Sequence, residues 1–483
     1  MFDLDFSQQE AVGLTFILNL LQPGSPYGAE QKKQIAPFGR TEKAALLECF
    51  DNIEKIAELS TNDKAGLDEL GFHLMSLKQI RGIVIKCKNH TLNQVELFEM
   101  KQFLLTFEKL EVVFRKLHES VGFAGIELIK LGQALDILDP DGKRIAAFVL
   151  DSPELSEIRR EKARVETLLQ KEKLQSGESV LTAKRFELVK REAEEETRVM
   201  EMLTEKLRPF LPVFVTNIDN TGKLDLCIAK AMLSLEYGAV RPKLTERTEV
   251  SLKNMYSPYV AQALEKNNQT MTRITMILPE KATIITGANM GGKSVSVKTA
   301  VLNIMLCQMG FFVFAEAAEI PIFDGICLIS EDMQDVGRGL SSFGAEISRF
   351  NEISGRLKKE FLFIAMDEFA RGTNPEEGAR IVRAIASYLS DCGCVCVMTT
   401  HYDRVVSPEF KHYQVAGLNL PKTSQESGHN ISSISQYMDY NLIEADCDTE
   451  PPRDALNICR LIGLEQDILS RIEAEFDAQK KIL

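Results

Sequence analysis

Apolar positions between Thr41 and Leu117 recur every three or four residues, in Leu46, Leu47, Phe50, Ile53 and Ile56 and again in Leu74, Leu77, Ile80, Ile83 and Val84. That period keeps one stripe of a helix apolar and predicts a helical bundle. Between Ile137 and Leu150 the texture breaks. Pro140, Asp141 and Gly142 lie between apolar runs, which predicts a small hairpin. From Asp151 to Leu207 Glu interleaves with Arg and Lys at helical spacing, with Gly177 interrupting the run, and two long antiparallel helices are expected. Such alternation ordinarily marks a solvated helix pair, and the ten basic and seven acidic residues of 156–192 make only a weak signal for a polyanion.

Past Pro242 the period changes. Short apolar runs bounded by turns, ITMIL (274–278), ATIIT (282–286), FLFIAMD (361–367) and GCVCVMTT (393–400), are separated by helical stretches. Continuous apolar runs suit strands covered on both faces, so a parallel α/β sheet is predicted. The expected organisation is an all-α domain over 1–240, with the long helices at about 151–207, followed by an α/β domain over 241–483.

Composition narrows the class. With 483 residues, 45% hydrophobic and 26% charged, and no fixed-period repeat, collagenous, disordered and mucin-like chains are excluded. A net charge of −13 repels polyanions, so any nucleic-acid contact requires a local basic patch. Ten cysteines are spread along the chain. Cys392, Cys394 and Cys396 alternate along one predicted strand and read as small buried side chains, not metal ligands. This usage suits a reducing compartment. The apolar stretch from Ala11 to Leu21 is too short to span a bilayer, so a cytoplasmic chain without a membrane partner is expected.

One motif carries chemistry. ATIITGANMGGKSVSVKTA sets Gly287, four residues, then Gly292, Lys293 and Ser294 between a strand pattern and a helix pattern. This is the G-x-x-x-x-G-K-[ST] spacing in its required context. The loop, including Asn289, Met290 and Gly291, turns backbone N–H groups toward phosphate, Lys293 reaches the terminal phosphates, and the Ser294 hydroxyl meets Mg²⁺. ATP and Mg²⁺ are therefore the expected ligands. A second strand ends in Asp367 and Glu368, placing two carboxylates where α/β sheets bind ligands. Asp367 suits the metal through water, and Glu368 suits polarisation of the attacking water. A third strand ends at His401, a candidate sensor of the γ-phosphate.

These residues resemble the MutS family of ATPases over roughly 215–475. TGANMGGKS (286–294) is similar to the family's TGPNMGGKS, MDEFARGTNPEEG (366–378) to MDEIGRGTSTYDG, and TTHY (399–402) matches outright. GLSSFGAEI (339–347) is similar to the signature GRSTFMVEM, which implies that Ser341 reaches a partner's nucleotide in trans and that the ATPase is a dimer, of two copies or with a MutS-like paralogue. DSPELSEIRRE (151–161) resembles the start of the lever helices in short members of the family, and LIGLEQDILSRIEAEF (461–476) resembles a C-terminal dimerisation element. The mismatch-recognition, connector and nuclease domains have no expected counterpart, the chain opening directly on helical core. Ala288 replaces a Pro, Leu340 an Arg, Gln334 an acid beside a retained Asp335, and Ala370 a Gly. Residues 261–286 hold no aromatic for the adenine, leaving Tyr256 or Tyr259 as substitutes. The resemblance implies an ATP-hydrolysing conformational switch acting on structured or branched DNA without mismatch preference. The alternative is a factor that remodels or reactivates a protein client, such as the aminomutases of lysine fermentation with which similar short proteins are associated.

Overall fold

The apolar runs past residue 280 become the interior of a sheet. In chain order the strands are β1 (Phe2–Asp3), β2 (Lys243–Leu244), β3 (Val250–Met255), β4 (Ile274–Leu278), β5 (Ala282–Thr286), β6 (Ala317–Ile320), β7 (Gly325–Ser330), β8 (Leu362–Asp367), β9 (Val395–Thr399), β10 (Lys411–Leu418) and β11 (Met438–Glu444). The computed structural model describes residues 2–172, 180–287, 292–330, 342–402, 404–418, 438–447, 449 and 455–480. The larger sheet has the order β1-β7-β8-β9-β5-β10-β11. Its pairs are parallel except for β10 with β11. Strands β5, β7, β8 and β9 are buried at every position, as continuous apolar runs require of strands covered on both faces.

ITMIL departs from expectation. As β4 it pairs antiparallel with β3 in a second sheet of order β2-β6-β3-β4, and its positions alternate buried and exposed. A run of five residues is short enough for either environment, and only the partner strand decides which.

The chain divides into two compact units. One comprises Met1–Leu21, Ala36–Phe50 and Met232–Leu483 and holds both sheets. Its N-terminal segment does not open on helical core. Phe2 and Asp3 pair with Ile326 and Cys327, adding a parallel strand to the sheet edge, and Gln8 Nε2 donates to the Leu328 carbonyl at 2.9 Å. Asp3 is fixed there by Arg349 at 2.6 Å and Arg356 at 3.0 Å.

The other unit comprises Gln22–Ile35 and Asp51–Ala231. Its centre is the helix Gln94–Val121, opened by an Asn93–Glu96 capping box and closed by Gly122 at φ +67°. Leu97, Met100, Phe103, Leu104, Phe107, Leu110, Phe114 and Leu117 form its buried stripe. The Phe103 ring meets those of Tyr27, Phe107 and Phe214 at 5.5–6.1 Å. The hairpin expected at 137–150 is absent. Gly142 does turn, at φ +63°, but Lys101 and Gln102 donate to the carbonyls of Ala147 and Ala146, and the Asp139 carboxylate accepts from Arg144 N. Side chains satisfy the backbone groups that a partner strand would otherwise have taken.

The two long helices are Pro153–Glu172 and Val180–Leu207; Gly177 lies outside the described residues. A narrow seam of Ile158, Val165 and Leu188 joins them. Ion pairs flank it: Arg159 with Glu192 and Glu196, Lys184 with Glu161, Arg185 with Glu166.

Candidate functional site

Strand order determines what can meet. With β8, β9 and β5 adjacent and parallel, the chain ends after Asp367, Thr399 and Thr286 emerge side by side at one edge of the sheet. Beyond β5 the backbone turns at Gly287, φ +132°, where a Cβ would lie 3.0 Å from that of Val415. It enters the helix Lys293–Gln308 through Gly292, φ +80°, where a Cβ would lie 3.1 Å from the Tyr440 ring. Both positions need glycine for conformation and for room. The first turn of a helix has N–H groups without intrahelical acceptors and carries the positive end of the dipole, so this entry is suited to an anion. Ser294 lies in that turn, half-buried. Asn289, Met290, Gly291 and Ser341, like Ala288, Gln334, Asp335 and Leu340, lie outside the described residues.

Lys293 is buried, its side chain 1% exposed. Its Nζ donates to the Gly287 carbonyl at 2.7 Å and stands 3.7 Å from Glu368 Oε1. Burial, partly offset by Glu368 and Asp367, holds the ammonium below the ordinary lysine range. A desolvated cation at a helix N-terminus fits a polyphosphate, which would supply negative charge where the protein has withdrawn water. These residues therefore fit ATP, and Ser294 and Asp367 fit its Mg²⁺ with hard oxygen ligands.

The carboxylates are held by groups that the sequence motifs did not single out. The Thr399 hydroxyl accepts the Glu368 N–H and donates to Asp367 Oδ1, each at 2.8 Å. Arg371 donates to Glu368 Oε2 at 2.8 Å. Glu368 and Ala370 both take positive φ, +52° and +65°, a region that costs an L-residue about 1–2 kcal/mol. Both peptide groups of Ala370 are anchored: its N–H donates to Glu346 at 2.7 Å, and its carbonyl accepts from Tyr402 Oη at 2.7 Å. Gly378 makes room for that tyrosine, since a Cβ there would lie 2.5 Å from Tyr402 Oη. His401 follows the same strand end, exposed, its ring 4.4 Å from that of Tyr402. Thr400 N bonds the Ile285 carbonyl, so His401 leaves the sheet beside β5.

Below the loop, His412 Nδ1 faces the Asp446 carbonyl at 3.0 Å and Nε2 faces the Thr286 hydroxyl at 2.9 Å. A carbonyl can only accept, so Nδ1 carries the proton, and in the neutral ring Nε2 accepts from Thr286. Burial lowers this histidine's pKa and favours that neutral form.

The structure places Tyr256 away from the loop. Its carbonyl accepts from Asn303 Nδ2, about ten residues or roughly 15 Å along the helix from Lys293. Tyr259 packs on Phe16 and Gly13. Among the described residues, Tyr440 of β11 adjoins the loop at Gly292.

Residues 283–475 match the family profile of MutS domain V. This part of the chain is similar to the ATPase domain of MutS-family proteins. Among curated MutS relatives, it is similar to the Endonuclease MutS2 of Leuconostoc mesenteroides, 31% identical over 51% of this chain and 29% of that protein. It is also similar to those of Streptococcus suis, 29% identical over 60% and 35%, and Levilactobacillus brevis, 32% identical over 58% and 33%. The match thus spans about a third of the relatives' length. MutS domain V is a P-loop ATPase domain, and the segment Gly287 to Ser294 falls within the matched residues. Among the described residues no helix is long and apolar enough to cross a membrane.

Proposed function

We propose that this chain is a MutS-family ATPase that hydrolyses ATP and uses the cycle to switch a dimer between conformations, acting on structured or branched DNA in a reducing cytoplasm. The observation that carries the reading is the buried Lys293 at the helix entry, within 3.7 Å of Glu368. In this reading Lys293 and the loop's N–H groups bind the terminal phosphates, Glu368 orients and polarises the attacking water, and His401 senses the γ-phosphate. Ser294 and Asp367 would hold Mg²⁺, which would neutralise phosphate charge. Ser341 would complete the site of a second copy or of a MutS-like paralogue, with the helices Ala455–Ile462 and Gln466–Lys480 contributing to association.

ATP bound at a shared interface stabilises the associated state by linkage. Sedimentation velocity should show ATP shifting the wild-type chain toward dimer and Ser341→Arg abolishing that shift while leaving the protomer folded. A wild type whose association ignores ATP contradicts a composite site.

Matched and mismatched duplexes should bind equally and weakly, with affinity falling steeply as salt rises, because discrimination needs groups that reach base edges. Titration of labelled matched, mismatched and branched duplexes at two salt concentrations tests this. A tenfold preference for the mismatch, about 1.4 kcal/mol, overturns it. The ion pairing of Arg159, Lys184 and Arg185 with glutamates favours a second reading, in which the long helices engage a protein client, since these cations are already partnered. Absence of DNA binding at low salt selects that reading.

A further inference from the structure

We infer that Glu346 is a positioning residue that sets the aim of Glu368 by holding the strained turn between them and the sheet. The inference rests on the reading of Glu368 as the group that polarises water. Glu346 is 2% exposed, on the helix Ser342–Ser354, remote in sequence from the acids of β8. It accepts the N–H of Ala370 at 2.7 Å, and that residue and Glu368 hold positive φ. A positive φ at alanine is not self-maintaining, because the backbone without an anchor relaxes to the right-handed or extended region. In such a relaxation the Glu368 carboxylate, which is carried on the same turn, would leave its place between Lys293 and Arg371.

Burying a carboxylate is unfavourable unless it accepts hydrogen bonds, so Glu346 is a costly residue to retain for packing alone. Tyr402 anchors the other side of Ala370 through its carbonyl, and the two contacts together fix one peptide plane on each face of the residue. The helix that carries Glu346 is itself tied to the sheet edge, since Arg349 pairs with Asp3. The contact to Ala370 gives Glu346 a route to turnover through the geometry of the turn.

The test combines four variants of this chain: Glu346→Ala, Glu346→Gln, Ala370→Gly with Glu346→Ala, and Glu368→Gln. Affinity for Mg²⁺ and the fluorescent nucleotide mant-ATP, and kcat for ATP, are measured in each. Glu346→Ala should keep nucleotide affinity within about twofold of wild type and lose tenfold or more in kcat. Glu346→Gln, whose amide oxygen still accepts, should retain most turnover. Ala370→Gly, which adopts positive φ without strain, should restore turnover to the Glu346→Ala chain. Affinity and kcat falling together in Glu346→Ala would indicate a merely structural role and overturn the inference, as would wild-type kcat or failure of the glycine to restore it. Wild-type turnover in Glu368→Gln would instead remove the reading beneath it.

Discussion

Replacing Glu368 by Gln should reduce ATP turnover by about 100-fold or more while leaving ATP binding intact. General-base groups contribute roughly 10²–10⁴-fold to rate, and the amide keeps the size and hydrogen-bonding reach of the side chain but cannot take a proton. Glu368 is 8% exposed and held from two sides, by Arg371 at one oxygen and Lys293 near the other. The neutral variant loses both pairings, yet the loop, Gly292 and the helix entry are unaltered. Single-turnover hydrolysis alongside equilibrium binding separates the two effects, and a variant with wild-type turnover would falsify the assigned role.

Lys293→Met should lower ATP affinity by about 100-fold, or about 2.7 kcal/mol, without destabilising the nucleotide-free protein. The ammonium is withdrawn from water before any phosphate arrives, so the free protein carries a charge that its burial disfavours. The sign with pH follows from a base whose folded pKa is depressed. Between that lowered value and the ordinary 10.5, the unfolded chain binds the extra proton and the folded chain does not. Stability therefore rises with pH through that window. Urea denaturation of wild type and Lys293→Met at neutral and alkaline pH should show wild type gaining on the variant as pH rises. A variant that binds ATP as wild type does, or a gap that widens in the opposite direction, contradicts this account.

Short-range chemistry was legible in the sequence and long-range partnership was not. Gly287, Gly292, Lys293 and Ser294 announce themselves by spacing, and Asp367, Glu368 and His401 by ending apolar runs, because each is set by its own neighbours. Thr399 reaches those acids from the neighbouring strand, while Glu346 and Tyr402 hold the Ala370 turn beside them, and only the order β8-β9-β5 brings Thr399 between Asp367 and the loop. A threonine in a buried strand gives no local sign that its hydroxyl will relay between two neighbouring residues. Arg371 stood within the motif and could have been found by its spacing of three from Glu368, which suits an ion pair along a turn. The same division explains the fold. The helical periods of 41–117 and 151–207 translated directly into helices, whereas ITMIL needed its partner β3 to reveal which sheet it joins. The predicted hairpin failed because turn residues specify a reversal of direction, not a neighbour for the strands on either side. Lys101 and Gln102 took that place.

The edge strand β1 also has a consequence for biosynthesis. Gln8, just beyond it, bonds to a residue 320 positions later in the chain. At ribosomal rates of roughly 5–20 residues per second, that partner emerges about 15–65 s after the strand that will lie beside it. This segment must therefore wait, without its sheet partner, until β7 has been made. That edge of the sheet is therefore completed long after its own residues have been made, because its partner β7 lies more than 300 positions later.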